Sequence, residues 1–130
     1  MAVEQTLTLI TTPGPGLQHA AVAGEIDIAT AGDLQAFLAR CLCAARGSCG
    51  LVVDLSAVSF IDASGLKVLL LVRSLAAELA VPFRIAAPAP CVDRLLAITG
   101  LRSHFLVTDD RPARIRLPAA PARSELSSAG

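Results

Sequence analysis

The sequence predicts one α/β domain, a mixed and mostly parallel sheet with helices packed on it, its elements in the order ββαβαβαβ. Three observations predict it. Beyond the first two strands, strand-like and helix-like segments alternate, the pattern of parallel strands joined by helical crossovers. Those first two strand-like segments are separated only by Pro13-Gly14-Pro15-Gly16, a turn that makes them an antiparallel hairpin. Hydrophobic residues make up 54% of the 130, against 17% charged, which suffices for one sizeable core. With four Phe and neither Trp nor Tyr, that core is aliphatic.

Gln5–Ile10 alternates weakly, is rich in Thr and Leu, and reads as a strand; Leu17–Ala23 is its hairpin partner. Gly24-Glu25-Ile26-Asp27 ends the hairpin. Thr30 is placed to cap a helix, with Asp33 three residues on as in a capping box. Leu34, Phe37, Leu38, Cys41, Leu42 and Ala45 then form one apolar stripe at helical spacing, and Gly47 stops it. Leu51–Val53 is a short buried strand ending at Asp54, followed by a loop to Ala63. A second helix starts near Ser64 and ends near Ala80, before Pro82. Phe83–Ala86 is a strand, Cys91–Thr99 a short helix with Gly100 as C-cap and Leu101 beyond it, and His104–Val107 the last strand. The domain thus occupies residues 1–108, and the Pro, Ala, Arg and Ser composition of 109–130 reads as a disordered tail.

Composition also excludes functions. The 11 basic and 11 acidic residues balance, so no broad positive footprint for nucleic acid exists, and aromatic residues for base stacking are scarce. Arg111, Arg114, Arg116 and Arg123 crowd late in the chain and read as a solvated basic tail. The opening residues lack a basic stretch followed by an apolar one, and the apolar run Val68–Val72 between Lys67 and Arg73 is too short for a membrane span, so a cytoplasmic location is expected. Cys41 and Cys43 diverge on a helix, so zinc ligation is disfavoured; with Cys49 and Cys91 they read as reduced, buried or half-buried thiols. His19 and His104 fall on strands, with no nucleophile–base order and no metal spacing, so neither catalysis nor a cofactor is expected.

The informative stretch is Val53-Asp54-Leu55-Ser56-Ala57-Val58-Ser59-Phe60-Ile61-Asp62-Ala63-Ser64-Gly65-Leu66, which leaves a buried strand and enters a helix. Ligands and partners gather at such junctions. Ser64 stands at the expected N-cap, its hydroxyl accepting from backbone N–H groups; an exposed hydroxyl there also suits phosphorylation. A phosphate would bring about −1.5 to −2 charges beside Asp62 and Lys67. Gly65 either admits a partner or loosens the helix start. In the following helix Val68, Leu69, Val72, Leu75 and Leu79 form the core stripe, leaving Leu66 and Leu70 on a flank near Arg73 as surplus apolar surface.

The segment DLSAVSFIDASGLKVL resembles the central motif of STAS domains, in particular bacterial anti-sigma-factor antagonists, and Gly24-Glu25-Ile26-Asp27 resembles the GELD segment of that family. The resemblance covers about Val3 to Val107. It implies a protein that binds an anti-sigma factor which is also a serine kinase using ATP and Mg2+. Binding frees the sigma factor, phosphorylation of the Ser before the motif's Gly ends it, and a phosphatase restores it. That Ser is Ser64, and the implied partner surface takes in Asp27, Asp62, Ala63, Gly65, Leu66, Lys67 and Leu70. Ala63 stands where many relatives carry a second Ser, and Lys67 where some carry a small residue. Ser56 and Ser59 are weaker acceptors, read as a loop hydrogen-bonding residue and a turn residue. Asp27 is equally a local cap. The alternative is a STAS binding module without a phosphorylation switch, in ligand sensing, a lipid-transport complex or a signalling assembly. A weak homodimer is left open.

Overall fold

A computed structural model describes residues 7–13 and 16–108. Part of the expected Pro13–Gly16 turn and the whole expected tail, 109–130, lie outside the described residues. The elements are β1 (Leu7–Pro13), β2 (Gln18–Ile26), α1 (Ala31–Ala44), β3 (Leu51–Ile61), α2 (Ala63–Glu78), β4 (Phe83–Ala86), α3 (Pro90–Thr99), a 3-10 turn (Arg102–His104) and β5 (Leu106–Thr108). The expected order therefore stands. Five strands form one sheet in chain order, β1 antiparallel to β2 and every later pair parallel.

The α1 stripe is buried at Leu34, Phe37, Leu38, Cys41 and Leu42. It meets Leu66, Val68, Leu69, Val72 and Ala76 of α2 and the strand residues Ala20, Val22, Val53, Leu55 and Ile85 in one aliphatic core, which α3 joins through Val92 and Leu96. At about 25 cal/mol per Å² this apolar burial is the main force holding the helices on the sheet. α3 ends as expected: Gly100 takes φ 72°, and the Leu101 N–H reaches the Leu96 carbonyl at 2.9 Å, the bond of a Schellman cap.

Four expectations are corrected. The strand expected to stop at Asp54 runs on to Ile61. Its register against β2 slips between Ala21 and Ala23 and again between Gly24 and Glu25, so β3 carries two bulges. Asp54 serves the first of them, its Oδ1 accepting the Ser56 N–H at 2.8 Å. The last strand begins later than expected because Arg102–His104 closes a 3-10 turn, which takes His104 off the strand. Thr30 does precede α1, but its hydroxyl makes no bond to the helix N–H groups; it donates to the Glu25 carbonyl at 2.9 Å and accepts the Asp27 N–H at 3.0 Å. Finally, only Cys41 is buried and Cys91 half-buried, whereas Cys43 and Cys49 are exposed. Among the described residues, no helix is long and apolar enough to cross a membrane.

Candidate functional site

The β3–α2 junction is built around Asp62. Its backbone is extended, at φ −124° and ψ −167°, and its N–H is tied to the Ile26 carbonyl of β2 at 3.2 Å. Its Oδ1 accepts the N–H groups of Ser64 at 2.9 Å and Gly65 at 3.4 Å. Asp62 is therefore the N-cap of α2, and Ser64 is the second residue of the helix rather than the cap. The correction has a physical cause. An aspartate two or three residues ahead of an N–H pair reaches both with one oxygen, and its charge favours the positive helix end.

Freed from capping, the Ser64 hydroxyl makes no hydrogen bond among the described residues, and the side chain is half-buried. The two N–H groups expected to receive a phosphate are already held by the Asp62 carboxylate. A phosphoryl group on Ser64 would thus meet a carboxylate, with the exposed Lys67 three residues on as the nearby cation.

Gly65 and Leu66 face inward, against expectation. A Cβ on Gly65 would lie 2.5 Å from Ile26 Cγ2 and 2.8 Å from Ile61 Cγ1, so the glycine lets α2 close onto the ends of β2 and β3. Leu66 is in the core. The surplus apolar surface of α2 is carried by half-buried Leu70 and exposed Leu71 instead. Ala63, Lys67 and Leu71, four residues apart, make one exposed row.

Asp27 stands on the neighbouring loop, after β2. Its Oδ1 accepts the N–H groups of Ala29 at 3.0 Å and Thr30 at 3.2 Å, so it shapes the turn into α1. Two apolar side chains that sequence reasoning missed flank the site: Ile28, 82% exposed, and Phe60, 46% exposed. Phe60 was hidden by the loop expected there; in a strand, its neighbour Ile61 being buried puts Phe60 on the opposite face. Ile28 could have been found as a lone large aliphatic residue between Asp27 and the helix start. The junction thus presents the Ser64 hydroxyl, unbonded among the described residues, beside apolar and charged side chains. Among the described residues no three His, Cys, Asp or Glu side chains gather as a metal site.

A family model described as the STAS domain matches residues 17–113. No curated protein matches the chain. Among solved structures, an anti-sigma factor antagonist from Mycobacterium paratuberculosis is similar at TM-score 0.72 and 24% identity, over 98% of this chain and 99% of that one. SpoIIAA of Bacillus, an anti-sigma factor antagonist, is similar in its phosphorylated form at TM-score 0.58 and 14% identity, over 92% of this chain and 99% of that one. Murine Slc26a9, an anion transporter, matches at TM-score 0.66 and 14% identity, over 92% of this chain but 19% of the transporter. At these identities the likeness is one of fold. The family model spans far more than half of the chain, and the element order, the motif at Ser64 and the sheet agree with it: this protein belongs to the STAS domain family.

Proposed function

We propose that this protein is an anti-sigma-factor antagonist of the bacterial cytoplasm, a phosphorylation substrate rather than an enzyme. Unmodified, it binds an anti-sigma serine kinase that uses ATP and Mg2+, which releases a sigma factor. Phosphorylation of Ser64 ends the binding, and a phosphatase resets it. Asp27, Asp62, Ala63, Ser64, Lys67 and Leu70 face the kinase together with Ile28 and Phe60, while Gly65 and Leu66 set the angle of α2 from beneath.

The observation that carries this reading is the Ser64 hydroxyl, unbonded among the described residues on the first turn of a helix whose capping is done by Asp62. A cap needs its hydroxyl, and this one is spare. The likeness in fold to a Bacillus antagonist solved in a phosphorylated form supports the same reading. Incubation with the candidate kinase, ATP and Mg2+, followed by intact mass, should add one phosphate to the wild type and none to Ser64→Ala. Phosphate on the wild type and on Ser64→Ala alike would refute the assignment. The fold match to a segment of an anion transporter favours a second reading, a binding module with no switch. That reading predicts no phosphate with any anti-sigma kinase encoded beside this protein, and unchanged partner affinity in Ser64→Asp.

A further inference from the structure

A cleft opens beside the second half of α2, away from Ser64. The helix runs to Glu78, Ala80 turns the chain with φ 57°, and the Val81 N–H reaches the Ala76 carbonyl at 2.9 Å. Val81 and Phe83, which follow this bend, are buried. The 3-10 turn brings a second segment to the same place. There the His104 N–H reaches the Leu101 carbonyl at 2.9 Å, the Phe105 N–H reaches the Arg102 carbonyl at 3.2 Å, and β5 starts at once with Leu106. The cleft that these segments line with α2 has a volume of about 280 Å³.

Its lining divides by chemistry. The apolar part includes the rings of Phe83 and Phe105, which meet edge to face with centroids 6.5 Å apart and planes at 63°. The polar part is Arg73 and His104, both exposed and carried by different elements. Ala77 stands one turn after Arg73 on α2, and its small side chain leaves the space beside the guanidinium open. No carboxylate lines the cleft. Among the described residues neither Arg73 nor His104 has a side-chain hydrogen bond or an ion pair. Asp93 of α3 is held by Arg102 of the 3-10 turn at 2.9 Å, so this acid is already matched.

We propose that this cleft binds a small aromatic monocarboxylate, its carboxylate held by Arg73 and His104 and its ring laid against Phe83 and Phe105. An apolar floor with a few polar groups to one side is the pattern of small-ligand sites. The guanidinium fork matches the two oxygens of a carboxylate. An imidazole offers one N–H donor when neutral and two when protonated. The one permanent cation matches a single negative charge, which a phosphate dianion would exceed. A ring in the ligand extends the edge-to-face packing of the two Phe side chains. The volume lies just under the roughly 300–1,000 Å³ of drug-sized ligands, so the occupant is smaller, with about ten heavy atoms. Arg73 follows Ser64 by nine residues, about 13 Å along the helix axis, so this site stands apart from the phosphorylation reading.

Titration of the full-length protein with phenylacetate, followed by NMR, tests this through the backbone amide signals of Ala77, Phe83 and Phe105. They should shift saturably, with a Kd on the order of 1 mM, the level open to about ten heavy atoms. Arg73→Gln should weaken binding about tenfold or more, as loss of a charge-assisted contact does. Ala77→Leu, which fills the cleft from an exposed helix position, should weaken it as well, and Arg94→Gln on the exposed side of α3 should leave it unchanged. Phenylacetamide, neutral and of the same shape, and inorganic phosphate, an anion without the ring, should both fail to saturate these signals at the same concentrations. A silent phenylacetate titration, or equal affinity for phenylacetate and phenylacetamide, would overturn the proposal. So would equal phenylacetate affinity in the wild type and in both cleft variants, or saturation by phosphate alone.

Discussion

Ser64 and Gly65 are adjacent and do opposite things. The serine keeps its hydroxyl outside the helix cap, and the glycine gives up a side chain so that α2 can touch Ile26 and Ile61. Gly65→Ala should therefore destabilise the fold by about 1–3 kcal/mol through overpacking, read as a lower urea midpoint. A variant as stable as the wild type would mean that the helix start has slack. Cys41 is a second residue whose surroundings decide its chemistry. Burial pushes its thiol from 9.0 up to about 11, against a smaller lowering by Arg40. A thiol held neutral in the fold titrates at lower pH in the unfolded chain, so its contribution to stability is intact below pH 9.0 and is lost as pH rises towards 11. The drop in urea midpoint between those limits should be smaller in Cys41→Ala than in the wild type. A maleimide at neutral pH should label Cys43 and Cys49 first, and Cys41 only on unfolding, as mass spectrometry would report.

At the scale of elements, legibility followed regularity. α1 could be read because Leu34, Phe37, Leu38, Cys41 and Leu42 repeat at one period, and α3 because Gly100 closes it in the left-handed conformation that glycine favours. β3 was legible only as far as its alternation held. Asp54, Ser56 and Ser59 look like loop residues, but Asp54 and Ser56 sit at a bulge, where a carboxylate supplies an acceptor that the ladder no longer offers. At the start of α2 the cap was displaced by two residues, from Ser64 to Asp62. Sequence favours Ser and Asp alike as caps, and only the extended backbone of Asp62 decides between them. The surface of α2 was misassigned for a related reason: Leu66 turns inward with Gly65 at the first turn, which leaves the exposed apolar position to Leu71. The cap assignment carries its own prediction. Asp62→Ala should cost about 0.5–2 kcal/mol in chemical unfolding, and Asp62→Asn, which keeps an acceptor oxygen, clearly less. Equal losses would mean that the charge at the helix end, rather than the hydrogen bonds, holds the junction.

Over the whole molecule, the core and the proposed switch are separated in space. The aliphatic core that α1, α2 and α3 share with the sheet lies beneath the junction, while Ser64, Lys67, Ile28 and Phe60 stand at its surface. A charge added at Ser64 therefore changes what a partner meets without removing a core contact. It does not come free of cost. The Asp62 carboxylate already occupies the first N–H groups of α2, so a second anion there has a like charge for a neighbour and gains little from the helix end. Ser64→Asp should thus keep its circular dichroism spectrum and lose about 1 kcal/mol or less, the scale of exposed charge interactions. Its partner affinity should fall far more, because a desolvated interface cannot hydrate an unpaired carboxylate, a loss of about 2–5 kcal/mol when a charge is buried without a counterion. Calorimetric titration of the kinase with both proteins, beside thermal melts of each, separates the two quantities. A variant that binds as the wild type does, or one that loses binding only because it has unfolded, would break the link between a modified surface and an undisturbed scaffold.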